Sequence, residues 1–208
     1  MIFKKVIICL LIYICIISNI FAVVFATEDM NNQEQPQEGM QIYSESAILI
    51  ESTTGKVLYE KNMNERKYPA SITKVLTAII ALEKCDLDEV ATASYNAVNS
   101  VKSGYTKADI QVGEKFSIEE LLNVMMVQSA NEAATIIAEH ISGSVSEFAK
   151  LMNEKAKEIG CKNSNFVNAN GVHNENHYST AYDMAMIARY CMKNEVFRRL
   201  ASMMECSL

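Results

Sequence analysis

Beyond Lys5 the 208-residue chain has no cluster of basic side chains, and its 19 lysines and arginines are outnumbered by 25 acidic residues, for a net charge of −6. Binding nucleic-acid phosphates needs clustered cations, so that class of partner is set aside. No Cys-x-x-Cys pair occurs. Cys9 and Cys15 fall in an N-terminal apolar stretch, and Cys85, Cys161, Cys191 and Cys206 are widely spaced. No small residue precedes Cys15 to mark it for lipid modification. The four later cysteines read as free buried thiols, with a disulfide left open because export permits one. A Gly-x-Ser-x-Gly elbow, which a Ser-His-Asp hydrolase would want, is also missing. Nothing in the chain repeats.

What is present begins with a leader. Lys4 and Lys5 precede an apolar run from Val6 to Phe25, closed by the small residue Ala26, so residues 1–26 read as a secretory signal peptide. The run is long enough to span a membrane if retained, but Ser18 and Asn19 interrupt it and its A-x-A-like end favours cleavage. Removal leaves 208 − 26 = 182 residues and, without Lys4 and Lys5, a net charge of −6 − 2 = −8. Residues 27–41 (TEDMNNQEQPQEGMQ) carry almost no large apolar side chains to offset the entropy of ordering, and read as a polar linker. One domain over 42–208 remains.

Within it, Ala47–Ile50 is a buried-strand run, Thr53-Thr54-Gly55-Lys56 has turn chemistry, and Val57–Tyr59 is a second strand, together a hairpin. The turn is not a phosphate loop, because the first glycine and an ensuing helix are lacking. Pro69 marks a helix start, and Ile72, Val75, Leu76, Ile79, Ile80 and Leu82 recur at helical spacing. A mixed polar stretch reaches Gly113. Ser117 with Glu120 and Ser144 with Glu147 form capping boxes opening two helices, the second stopping at Gly160. Between them a helix runs from Asn131 to His140. Residues 161–178 are rich in asparagine and read as loop, and Thr180 caps a last helix to Met192. Asp183 and Arg189 on that helix are expected to stabilise and solvate it.

Two segments could carry chemistry. Ser71 and Lys74 lie three apart and so share a helix face. A serine hydroxyl becomes a nucleophile when a base takes its proton, and a lysine can be that base once desolvation lowers its pKa. Ser129-Ala130-Asn131 sits where one helix stops and another begins. There Ser129 could relay a proton and Asn131 could grip a peptide amide. The bland alternatives are a surface lysine beside a capping serine, and a plain helix cap. Ser94-Tyr95-Asn96 has the same form but follows Ser71 too soon, in a weakly patterned stretch. His173 and His177 are spaced like zinc ligands, yet they lie in a loop-like segment without a third ligand.

Together, Ser71-x-x-Lys74 and Ser129-x-Asn131 resemble the active-site motifs of penicillin-binding proteins and class A β-lactamases. Closest is the serine-type D-Ala-D-Ala carboxypeptidase family, the low-molecular-mass penicillin-binding proteins. The likeness extends to Ala47–Glu51, Thr54–Tyr59, Pro69-Ala70-Ser71, Ser129–Ala134, Phe166–Gly171 and His177–Asp183. The resemblance implies an α+β, β-lactamase/transpeptidase-like fold, with the helical lobe largely present. Ser71 would be the acylated nucleophile, Lys74 its base, Ser129 a proton relay and Asn131 a substrate-binding residue. The implied reaction removes the terminal D-Ala of peptidoglycan stem pentapeptides at the cell envelope, with β-lactams as covalent inhibitors and no metal or cofactor.

The family's third motif, Lys-Thr-Gly, does not follow Ser129; Lys102-Ser103-Gly104 precedes it and reads as a loop. The expectation is therefore a partial, C-terminally truncated catalytic domain whose C-terminal sheet strands are missing and whose activity is impaired, with a cut or frame change near Ala201. A membrane attachment would come only from an uncleaved signal or an anchor beyond Leu208. Two rivals remain. A class A β-lactamase would want Glu-x-x-Leu-Asn after Asn131, whereas Glu120-Leu121-Leu122-Asn123 lies before it. A non-catalytic secreted domain that binds peptidoglycan or a partner is favoured by the missing motif.

Overall fold

In the computed structural model, which describes residues 42–203, β1 (Ala47–Ile50) and β2 (Val57–Lys61) pair antiparallel, with Ala47 opposite Lys61 and Leu49 opposite Tyr59. The expected signal peptide, the linker and Cys206 lie outside the described residues. The hairpin turn is organised by Glu51, whose carboxylate accepts from Thr53 N at 2.8 Å and from Thr54 Oγ1 at 2.6 Å. Those bonds, with the one from Thr54 N, hold its carboxyl down at about 2. A two-stranded hairpin is marginal alone. Here Arg189 reaches across and donates to Ser52 O at 2.7 Å and Thr53 O at 2.5 Å, so its role is to anchor the turn rather than to solvate its own helix.

Pro69 does open a helical segment, but as a 3-10 turn, Ala70–Thr73; α1 proper is Lys74–Lys84. Its sequence is apolar on nearly every side, and Leu76, Thr77, Ala78, Ile79, Ile80 and Ala81 are all buried. A helix apolar all round must be enclosed. It contacts α3 (Ile118–Val127), α4 (Asn131–Ser142), α5 (Val145–Ile159) and α6 (Ala181–Cys191). Leu76, Leu121, Ile137, Phe148 and Met152 are fully buried at this junction, each contributing about 1.5–3 kcal/mol relative to exposure.

The helix ends follow their capping residues. Ser117 and Glu120 make the reciprocal box, with the Ser117 side chain accepting from Glu120 N and the Glu120 carboxylate from Ser117 N. Ser144 makes only half of its box: it accepts from Glu147 N, while the Glu147 carboxylate turns to Lys150 Nζ at 2.7 Å. Thr180 accepts from Asp183 N at 3.1 Å. The polar stretch before Gly113 contains more than expected: β3 (Val90–Thr92) pairs with β4 (Lys115–Ser117), and α2 (Tyr95–Asn99) lies between. A further helix, α7 (Glu195–Ala201), follows α6. β3, β4 and α2, three to five residues long and without the turn signal that marks the β1–β2 hairpin, show too little periodicity to be read from sequence.

The asparagine-rich segment is loop, as expected, yet tightly held. Asp183 is only 1% exposed and accepts from Lys162 N, Asn163 N and Ser164 Oγ, so it pins the loop instead of solvating α6. Asn153 grips the backbone of Phe166 at both N and O, at 2.9 and 2.7 Å. Cys161 and Cys191 are buried free thiols, pushed up to about 12 chiefly by burial, and Cys85 is a partly buried one. Among the described residues no helix is long and apolar enough to cross a membrane.

Candidate active site

Ser71 lies in the exposed 3-10 turn, one residue after Ala70, whose φ of 49° is left-handed. A non-glycine residue there costs about 1–3 kcal/mol and persists only where its surroundings impose it. Ser129, in the three-residue break between α3 and α4, is a second case, with φ of 59°. Each of the two sequence-expected motifs thus sits on or beside a strained residue.

Lys74 opens α1 and is 2% exposed. Its Nζ lies 3.2 Å from Ser71 Oγ, 2.9 Å from Asn131 Oδ1 and 2.7 Å from the carbonyl oxygen of Asn170. Burial lowers its pKa to about 8, against the opposing pull of the Glu132 charge. A neutral amine has two protons and one lone pair. Donating to Asn131 Oδ1 and Asn170 O leaves the lone pair for the Ser71 hydroxyl proton.

Asn131 is turned further inward than its expected role suggests. It is 3% exposed, and besides accepting from Lys74 it donates Nδ2 to Thr106 O at 2.9 Å. Its backbone N bonds the same carbonyl at 3.2 Å. One amide proton remains for a substrate. Neighbouring Glu132 is 1% exposed; it accepts from Ala108 N at 2.6 Å, and its Oε2 has no partner among the described residues. Asn131 and Glu132 together latch the 106–108 segment beside the site.

The residues that sequence reasoning missed lie in the loop. Asn168 Oδ1 accepts from Gly171 N at 2.7 Å, Asn170 Oδ1 from Val172 N at 3.0 Å, and Ala169 O from Thr77 Oγ1 at 2.7 Å. These bonds aim the Asn170 carbonyl at Lys74. A Cβ on Gly171 would stand 1.9 Å from Ala70 O, so only glycine lets the loop close on the strained turn. His177 lies 2.8 Å from Thr73 Oγ1 and accepts from Val167 N at 3.2 Å. Because the Val167 N–H faces Nδ1, the ring proton must be on Nε2 and donated to Thr73. Burial lowers the His177 pKa to about 4. His173 instead packs edge-on against Tyr68 at 4.6 Å, so the pair is not arranged as metal ligands. Phe166–Gly171 bore on the problem only through resemblance; a carbonyl contact leaves no mark in residue type.

The remaining look-alikes resolve as structure. Ser94 caps α2 by accepting from Ala97 N, and Lys102-Ser103-Gly104 lies in a loop.

The model of the D-alanyl-D-alanine carboxypeptidase family, peptidase S11, matches residues 30–207. The chain is 44% identical over 158 residues to D-alanyl-D-alanine carboxypeptidase DacF of Bacillus subtilis, covering 73% of this chain and 40% of that protein. It is 30% identical to DacA of Escherichia coli over 80% of this chain and 43% of that one. Among solved structures, D-alanyl-D-alanine carboxypeptidase DacD from Francisella tularensis superposes with a TM-score of 0.72 at 33% identity, covering 78% of this chain and 40% of that one. A variant of the Streptomyces K15 DD-transpeptidase gives 0.74 at 29% identity, covering 77% and 65%. The chain therefore spans about two fifths of the curated relatives' length, and its α+β architecture is that of the DD-peptidase and penicillin-binding structures. With its motifs on the turns flanking α1 and α4 and this match along most of its length, the chain belongs to the D-alanyl-D-alanine carboxypeptidase family.

Proposed function

We propose that this chain carries the nucleophilic half of a serine D-Ala-D-Ala carboxypeptidase acting on peptidoglycan stem peptides, exported through residues 1–26. The observation that supports this best is the Lys74 amine, buried, lowered to about 8 and 3.2 Å from Ser71 Oγ. Neutral Lys74 takes the Ser71 proton as Oγ attacks the carbonyl of the penultimate D-Ala. The C–N bond to the terminal D-Ala breaks, Ser129 relays the proton to the departing amine, and water later releases the acyl group. Asn131 offers its second amide proton to the peptide. A β-lactam enters as the same kind of acyl donor, its ring amide replacing the scissile bond.

Residues 130–208 contain no Lys-Thr-Gly, and the resemblance assigns that motif one oxyanion-hole donor, without which rates fall by about 10²–10³. Acylation by the 208-residue chain should therefore be slow. The test is labelling with a fluorescent penicillin, with the modified residue mapped by mass spectrometry. Slow labelling at Ser71, abolished in Ser71→Ala and reduced about 10²–10⁴-fold in Lys74→Ala, is expected. Labelling that survives Ser71→Ala overturns the assignment, and rapid labelling overturns the impairment. A second, non-catalytic reading gains if the chain binds peptidoglycan sacculi but never acylates. Sustained nitrocefin turnover would instead indicate a β-lactamase.

A further inference from the structure

At the end of α1 away from Ser71, a separate group of side chains comes together. Cys85, Glu89 and His140 each bring one ligand atom, and these three atoms lie within 4.8 Å of one another. They come from three segments: Cys85 is the C-cap of α1, Glu89 precedes β3, and His140 is in the last turn of α4. Cys85 is eleven residues past Lys74, about 16 Å along a helix axis, so the group is distinct from the candidate active site.

Its backbone is fixed before any ligand arrives. Cys85 N donates to Ala81 O at 3.0 Å, and Glu89 O accepts from Ile118 N at 2.9 Å. Glu89 Oε1 accepts from Asp86 N at 2.7 Å, which leaves Oε2 to face His140 Nε2 at 3.1 Å. The side chains of Glu89 and His140 are 42% and 26% exposed, so an ion has an approach path, while Cys85 is partly buried. The three donors are a thiol, an imidazole and a carboxylate, the set that suits tetrahedral Zn²⁺ with water in the fourth position. Ligand atoms around one such ion stand roughly 3.3–3.8 Å apart given ordinary zinc bond lengths. Side-chain rotation of about an ångström closes the present spacing to that.

We propose that Cys85, Glu89 and His140 form a Zn²⁺ site that ties the C-terminal end of α1 to that of α4. On binding, the Cys85 thiol proton leaves to solvent as the S–Zn bond forms, and the imidazole proton moves from Nε2 to Nδ1 so that Nε2 can ligate. No oxidation or reduction is involved.

The experiment titrates the full 208-residue chain, kept reduced, with Co²⁺ and then with Zn²⁺. One equivalent of Co²⁺ should give a thiolate-to-cobalt band in the near ultraviolet and the visible bands of a four-coordinate ion, both displaced by Zn²⁺. Zn²⁺ should also raise Tm. Cys85→Ser should abolish the near-ultraviolet band, and Glu89→Gln and His140→Gln should each weaken binding by about tenfold or more. Far-ultraviolet circular dichroism verifies that each variant folds; Glu89→Gln alters the most exposed of the three and serves if Cys85→Ser does not. The absence of a cobalt spectrum overturns the proposal. So does a thiolate band that persists in Cys85→Ser, which would place the metal on other cysteines, or an affinity unchanged in all three variants, which would leave Glu89–His140 as a simple ion pair.

Discussion

Replacing Gly171 by alanine should be far more damaging than the same change at other glycines of left-handed backbone. Gly171 has φ of +81°, and an added Cβ would stand 1.9 Å from Ala70 O and 2.4 Å from Ala70 C. Neither is the end of a flexible side chain. The left-handed conformation alone costs an alanine about 1–2 kcal/mol, and forcing an extra methyl into a packed contact adds about 1–3 kcal/mol. Backing the loop away from Ala70 also stretches the 2.7 Å bond from Lys74 to Asn170 O, a charge-assisted bond worth about 1.5–3 kcal/mol. Allowing for overlap among these, the loss should be about 3–6 kcal/mol. Gly160→Ala is the control: φ is +104° but nothing stands within 4 Å of the new Cβ, so only the conformational cost of about 1–2 kcal/mol applies. The assay is urea unfolding followed by circular dichroism, with the two midpoints compared at equal slope. If Gly171→Ala loses no more than Gly160→Ala, the loop does not close on the Ser71 turn as described, and the account of how Lys74 is held fails with it.

Two further predictions concern protons. In the proposed mechanism Ser71 acylation needs neutral Lys74, so its rate should rise with pH through about 8 and level off above; because the Glu132 charge raises that value, Glu132→Gln should move the midpoint to lower pH, as read by penicillin labelling across a pH series. An unmoved midpoint would show that Glu132 does not act on Lys74. His177 is held neutral with its pKa lowered from 6.5 to about 4, so between those values the unfolded chain binds a proton that the folded one refuses. Its contribution to stability is therefore complete above pH 6.5 and lost as pH falls toward 4, by roughly 3 kcal/mol at the lower end. His177→Gln should flatten that part of the stability–pH curve, and an unchanged slope would exclude His177 as its source.

Much of the local structure was legible because its causes are local. The hairpin follows from a strand run, a turn with Gly55 and a second strand, and the Ser117 and Thr180 caps act on residues three positions away. The Ser71–Lys74 pairing is of the same kind: a spacing of three brings the two side chains to one face in either a 3-10 or an α turn, so the misread helix type left their 3.2 Å contact intact. The short strands β3 and β4 escaped because no local turn joins them and their partners lie more than twenty positions apart, and the five-residue α2 because so short a helix displays little period.

By itself the sequence determined the hairpin, the capped starts of α3, α5 and α6 and the spacing that brings Ser71 and Lys74 together, since each rests on side-chain type at fixed short spacing. Only the tertiary structure decided what Lys74 is bonded to. Asn131 lies 57 positions away and the Asn170 carbonyl 96, and a backbone oxygen looks the same in every residue. Only packing, too, turned Asn131 and Asp183 inward and made Gly171 indispensable, because these depend on which surfaces meet once α1 is enclosed. Burial lowers the Lys74 pKa to about 8; a lysine in the same motif on an open helix would stay near the ordinary value of 10.5. The motif supplies the groups, and the enclosure by α4 and the 166–172 loop lowers the pKa of one of them.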